Sequence, residues 1–175
     1  MKERMNRPMQ AASSAEEIKV GIAEWQVSRA PGRLLTLGLG SCVGIALYDP
    51  VARIGGLAHI MLPDSSQFQD RGNRAKFADL AIPDMLEEML RGGARRGRVV
   101  AKIAGGAQMF TSGDRHLSFL NIGQRNTAMV RQTLEKLDLP IVGADTGGNF
   151  GRTMIFELED GEVYIRVIGK PLKKL

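Results

Sequence analysis

Val43-Gly-Ile-Ala-Leu-Tyr48 and Ile54-Gly-Gly-Leu-Ala-His-Ile-Met-Leu62, joined by Asp49-Pro-Val-Ala-Arg53, decide how this chain folds. Both alternating faces of each run are apolar, which suits strands covered on two sides rather than one. Proline inside the join favours a turn, so the runs read as an antiparallel hairpin. With the turn at residues 50–53, facing positions sum to 103, which sets His59 opposite Gly44 and Cys42 opposite Met61. Cys42 and His59 then become diagonal neighbours on one face, roughly 7–8 Å apart between backbones. A slip of one residue would send them to opposite faces.

Working outward, Leu34 to Leu39 is a strand entered through the turn Pro31-Gly32 and leaving by the glycine-rich approach to Cys42. Before it, Ile18, Val20, Ile22, Trp25 and Val27 read as one strand with a bulge near Glu24. Gln67 to Arg74 is polar and reads as a loop. Arg74 to Gly92 is a helix by the recurrence of Phe77, Leu80, Ala81, Met85, Leu86, Met89 and Leu90. Pro83 must kink or divide it, and Gly92-Gly93 ends it. Val99 to Ala104 is a short buried strand closed by Gly105-Gly106. Gly123 to Leu137 is a second helix, with Ala128, Met129 (or Val130), Leu134 and Leu137 inward. Pro140-Ile-Val-Gly143 enters another strand, and Thr153–Leu158 and Val163–Ile168 form a hairpin across Glu159-Asp-Gly-Glu162. Strands outnumber helices and hairpins are frequent, so the fold class is α+β in a single domain. Residues 1–17, polar and small, read as a disordered leader, leaving 18–175 as the folded domain.

The chain has 175 residues, 43% hydrophobic and 25% charged, which fits one soluble domain with a sizeable core. No apolar run is long enough to span a bilayer, and the amino end lacks the apolar stretch of a secretory signal, so membrane insertion is not expected and a cytoplasmic location is. One cysteine cannot form an internal disulfide, which agrees with a reducing compartment. With two histidines far apart, His59 and His116, it also makes a poor zinc site, so no metal is expected. The net charge of +5 is partly concentrated in an acid-free run, Arg91, Arg95, Arg96, Arg98 and Lys102. That run reads as a solvated face or, more sharply, as a docking patch for an acidic partner. Aromatic residues are only 5% and do not interleave with it, which argues against nucleic acid. Gly38-Leu-Gly40 invites a nucleotide-loop reading, but Gly44 falls one residue too late.

The chemistry rests on Thr36-Leu-Gly-Leu-Gly-Ser-Cys-Val-Gly44 and on His59. A free thiol is only a few per cent ionised at neutral pH, and a neighbouring imidazole can take its proton. Thiolate suits attack on an acyl carbon, and the protonated ring can then release a poor leaving group such as ammonia. Backbone amides at Ser41 and Cys42 are candidates to hold the developing oxyanion, and Gly44 leaves room for the imidazole. Thr36 is placed to accept a hydrogen bond from the other ring nitrogen and orient His59. From spacing alone a second account stands beside this one: a buried cysteine acting as a small hydrophobe next to a satisfied core histidine.

At these residues the sequence resembles the CheD family of chemoreceptor glutamine deamidases. The resemblance runs from about Val20 to Ile168, through the Thr36–Gly44 block, Gly56-Leu-Ala-His-Ile-Met-Leu-Pro-Asp64, Gly105-Gly-Ala-Gln-Met-Phe110, Asn121-Ile-Gly-Gln-Arg-Asn126 and Asp145-Thr-Gly-Gly-Asn149 with Arg152. It implies a fold like the cytotoxic necrotizing factor deamidase domain, with packed β-sheets flanked by helices. It places the family's nucleophile on Cys42, its histidine on His59 and its threonine on Thr36. The implied activity is cofactor-free conversion of receptor glutamine side chains to glutamate through a cysteine thioester, with methyl-accepting chemotaxis receptors as partners. The alternative is a non-catalytic adaptor that binds and stimulates a CheC-type response-regulator phosphatase. Asn126, Asp145 and Arg152 read as support for the site or, in the favoured account, as a structural hydrogen-bond network, and His116 as an exposed loop residue.

Overall fold

The structure is a computed structural model describing residues 16–109 and 121–175. Most of the leader, His116 and Phe110 lie outside the described residues. In chain order it forms β1 (Glu17–Lys19), β2 (Glu24–Arg29), β3 (Arg33–Leu39), β4 (Val43–Asp49), β5 (Ile54–Ile60), α1 (Ala78–Arg91), β6 (Val100–Gly105), α2 (Ile122–Lys136), β7 (Ile141–Thr146), β8 (Arg152–Glu157), β9 (Val163–Arg166) and β10 (Lys173–Lys174). One sheet has the order β2-β5-β4-β6-β7, the other β1-β3-β8-β9-β10.

The central hairpin has the expected register, with Val43 facing Ile60, Gly44 facing His59 and Asp49 facing Ile54. Its turn fixes that register. Asp49 Oδ1 accepts from the N–H groups of Val51 and Ala52 at 2.9 and 3.0 Å, and Arg53 N–H closes onto the Asp49 carbonyl at 2.8 Å. Every residue of β4 and β5 is buried. Val43, Ile45 and Leu47 join Ala58 and Ile60 beneath the helices, whereas Ala46, Tyr48 and Leu57 face Leu34, Met154, Phe156 and Ile165 of the second sheet. The period of two thus feeds two cores, and the layers run helices, sheet, sheet. Each buried Leu, Ile or Met side chain contributes about 1.5–3 kcal/mol, so this double coverage dominates the stability of the hairpin.

Two glycines in β5 let both neighbouring layers come close. A Cβ on Gly56 would lie 2.8 Å from Met85 of α1, and one on Gly55 would lie 2.7 Å from the Phe156 ring of β8. Pro83 sits inside α1 without dividing it, and the C-cap is Gly92, with Gly93 at φ 110°. The parallel pair β6–β7 requires a crossover, and α2 lies on it.

Three expectations are corrected. Ile18–Val27 is two strands in different sheets, because the chain turns at Val20–Ala23, where Ala23 has φ 59° and Gly21 N–H donates to Glu24 Oε2 at 2.8 Å. The first helix begins at Ala78. Arg74–Lys76 is a separate 3-10 turn capped by the Asn73 side chain, and Phe77 between them is extended at φ -108°. On α2, Ala128 is exposed, and the inward face is Gly123, Asn126, Val130, Thr133 and Leu134. Two polar residues share that stripe, so tracking apolar residues alone rotates it.

The basic run does not form one free face. Arg91 pairs with Glu87 and Lys102 with Glu162, while Arg98 meets buried Asp49 at 2.8 Å. No helix among the described residues is long and apolar enough to cross a membrane.

Candidate active site

Cys42 ends the connection between the two sheets, immediately before β4, and packs against the core between the sheets. His59 follows from the hairpin register: it faces Gly44 across the ladder, and Cys42 stands in the bend just before that ladder begins at Val43. Thr36 arrives from the other side, on β3 of the second sheet, 1% exposed. Its hydroxyl stands 2.7 Å from His59 Nδ1 and donates its one proton to the Val20 carbonyl at 2.8 Å. The hydroxyl must therefore accept from the ring, so Nδ1 carries the hydrogen. Nε2 is left with its lone pair, buried and without a partner among the described residues.

Burial sets the charge states. It pushes the His59 pKa down to about 4, and it pushes the Cys42 thiol up, opposed by the thiol's own backbone N–H. Burial thus favours the neutral form of each group, thiol and imidazole, over an ion pair.

The loop that presents the thiol is held by its carbonyls. Gly40 O accepts from Ala107 N–H and Cys42 O from Gly106 N–H, both at 2.8 Å, while Ser41 O accepts from the Asn126 side chain at 2.9 Å. Neither the Ser41 nor the Cys42 N–H donates to a backbone carbonyl among the described residues. The room expected above Gly44 is occupied. A Cβ there would come within 2.7 Å of Met154 Sδ and 3.0 Å of Leu39 Cδ1, so those side chains use the space.

Gly105 is the tightest point of this cradle. Its φ is 110°, and a Cβ would overlap the Cys42 carbonyl oxygen. Gly105→Ala is expected to destabilise the fold by about 2–4 kcal/mol, a drop of roughly 4–16 °C in thermal midpoint. An unchanged melting curve would refute the close approach.

Arg152 is buried, with Nη2 donating to Asp145 Oδ1 at 3.1 Å and Gly147 O at 2.8 Å. It ties β8 of one sheet to β7 and its following loop in the other, the structural network expected of these residues. Asn126, grouped with them on sequence, belongs to the nucleophile loop instead. Its signal in the sequence was a polar residue on the inward stripe of α2.

A family model described as CheD chemotactic sensory transduction matches residues 61–167. A Moorella thermoacetica protein named probable chemoreceptor glutamine deamidase CheD is 76% identical over 165 residues, covering 94% of this chain and 99% of its own. The chain belongs to the CheD family. Proteins of the same name from Desulforamulus reducens and Clostridium novyi are 54% and 52% identical, covering 94% and 91% of this chain and 99% and 98% of their own. The match to these CheD proteins includes part of the chain upstream of residue 61, where Thr36, Cys42 and His59 lie. The solved structure of Bacillus licheniformis hypothetical protein YfiH overlaps with a TM-score of 0.43 at 16% identity, covering 71% of this chain and 49% of that one, too slight to define a shared fold.

Proposed function

We propose that this CheD family member is a chemoreceptor glutamine deamidase working through Cys42, His59 and Thr36. The observation that carries the roles is the histidine's wiring: Thr36 holds Nδ1–H and leaves a buried, unpartnered Nε2 on the face shared with the lone thiol.

In this reading the Cys42 thiol gives its proton to His59 Nε2 as the sulfur attacks the glutamine carboxamide carbon. The carbonyl oxygen becomes an oxyanion facing the N–H groups of Ser41 and Cys42. When the C–N bond breaks, nitrogen takes the proton from Nε2 and leaves as ammonia, and a thioester remains. Water then attacks the thioester, giving its proton to Nε2, and the thiolate leaves and recovers that proton. Glutamate is the product. Atoms balance with water as the sole co-reactant, so no step calls for a cofactor. The substrates are glutamines in the cytoplasmic helical region of methyl-accepting chemotaxis receptors, which places the protein in the cytoplasm. The names carried by its relatives and the His59 geometry support the same reading.

The test is incubation of the reduced protein with a cognate receptor cytoplasmic fragment, read by peptide mass spectrometry. Specific glutamines are expected to become glutamate with equal release of ammonia, while free glutamine is untouched. Conversion of free glutamine but no receptor peptide would make it a small-molecule amidase, and no conversion of either would remove the enzymatic reading.

A further inference from the structure

Asn126 lies on α2 with 0% exposure, and its side chain reaches two separate pieces of the site. Nδ2 donates to the Ser41 carbonyl and to the Met61 carbonyl, both at 2.9 Å. Ser41 precedes the thiol, and Met61 follows the strand that carries His59. One amide group therefore joins the nucleophile loop to the histidine strand across 85 and 65 residues of sequence. The orientation is unambiguous, because turning the amide over would set Oδ1 against two carbonyl oxygens. Oδ1 itself is buried without a partner among the described residues. The polar contacts this side chain makes among the described residues are therefore those of Nδ2.

The Ser41 carbonyl and the Cys42 N–H belong to one planar trans peptide, so they point in opposite directions. Asn126 draws the carbonyl toward α2, which packs against the helix-side core. Cys42 packs into the other core, between the sheets. The N–H is thereby turned to the thiol side, which agrees with its influence on the thiol's own proton affinity. We infer that Asn126 is a positioning residue for oxyanion stabilisation: by fixing the 41–42 peptide it aims the Cys42 N–H at the carbonyl oxygen of the substrate. This inference rests on the deamidase reading above. Asn126 touches no reacting atom, so its effect should fall on the step in which the oxyanion forms, and not on substrate binding or thiol reactivity.

The experiment compares wild type, Asn126→Ala, Asn126→Ser and Thr133→Val, the last a buried control on α2 outside the loop contacts. Deamidation of a receptor fragment is set beside the rate at which iodoacetamide alkylates Cys42, a displacement at carbon that forms no oxyanion. For Asn126→Ala, kcat is expected to fall about 10- to 100-fold with KM unchanged, while alkylation stays within about twofold of wild type. Asn126→Ser, with one donor left, falls between, and it carries the test if the alanine protein does not fold. Thr133→Val matches wild type in both assays. Parallel loss of deamidation and alkylation would make Asn126 merely structural, and undiminished deamidation would remove its role altogether; both overturn the inference while leaving the enzyme intact. A wild-type protein that deamidates nothing overturns the underlying reading, and this inference falls with it.

Discussion

Exchanging Cys42 for alanine is expected to abolish receptor deamidation, by at least about 10⁴-fold, while the protein stays folded. The magnitude follows from the chemistry. Without sulfur there is no thioester, and the remaining amides and imidazole can only assist water directly. Cys42 is half-buried and makes no side-chain hydrogen bond to another described residue, so truncation to alanine removes little packing. The cost in stability should stay near about 1 kcal/mol. Cys42→Ser is the sharper comparison, since it keeps the shape but replaces the thiol with a hydroxyl far harder to ionise. It is expected to be as inactive as alanine within about tenfold. Because Cys42 is the one cysteine in the chain, iodoacetamide should label wild type once and both variants not at all. Burial raises the thiol pKa, so wild-type labelling should be slow at neutral pH and accelerate toward alkaline pH. Serine or alanine variants that still deamidate at wild-type rates would eliminate the covalent route.

The central hairpin, with His59 set opposite Gly44, was readable because it depends on local rules. A turn anchored at Asp49-Pro50 fixes the register, and a period of two then assigns every side chain to a face. Thr36 also stood out as a hydroxyl a few residues before the thiol. What makes it effective did not. The Val20 carbonyl that takes its proton, and so decides the histidine tautomer, lies in a turn that periodicity had read as continuous strand. The break at Val20–Ala23 was misread because the apolar alternation slips phase between Ile22 and Trp25, which fits a bulge in one strand as well as a turn between strands of two sheets. Asn126 could be singled out as support for the site, but its contacts were hidden for a different reason. A buried polar residue on an otherwise apolar stripe shows in sequence, but its two carbonyl partners are brought to it by tertiary structure alone. The space over Gly44 was misjudged similarly, since Met154 and Leu39 enter it from the opposite sheet. Strand periodicity describes one sheet at a time, and this site is built from two.

His59→Gln should reduce deamidation by at least about 10³-fold, because one ring both takes the thiol proton and delivers it to ammonia. It should also change the acid stability of the fold, a property measurable without any substrate. An unfolded chain protonates this imidazole near pH 6.5, whereas in the fold burial holds it neutral down to about 4. Between those values the unfolded state binds the proton and the folded state does not, so acid favours unfolding. The contribution is fully present above pH 6.5 and is lost as pH falls toward 4. It amounts to about 3 kcal/mol over the whole window and about 2 kcal/mol between pH 6.5 and 5. Urea denaturation at pH 7 and pH 5 should therefore show wild type losing about 2 kcal/mol more than His59→Gln. Thr36→Val separates orientation from charge. Valine keeps the volume but cannot accept from Nδ1–H, so the proton is no longer held on that nitrogen and Nε2 is not kept free as the base. Its kcat is expected to drop about 10- to 100-fold with KM little changed. With the wiring intact, the acid limb of wild-type kcat/KM should lie near pH 4 rather than 6.5, since the free enzyme keeps its imidazole neutral across that range. An acid limb at 6.5, together with equal pH dependence of stability in wild type and His59→Gln, would mean that burial does not hold the ring neutral.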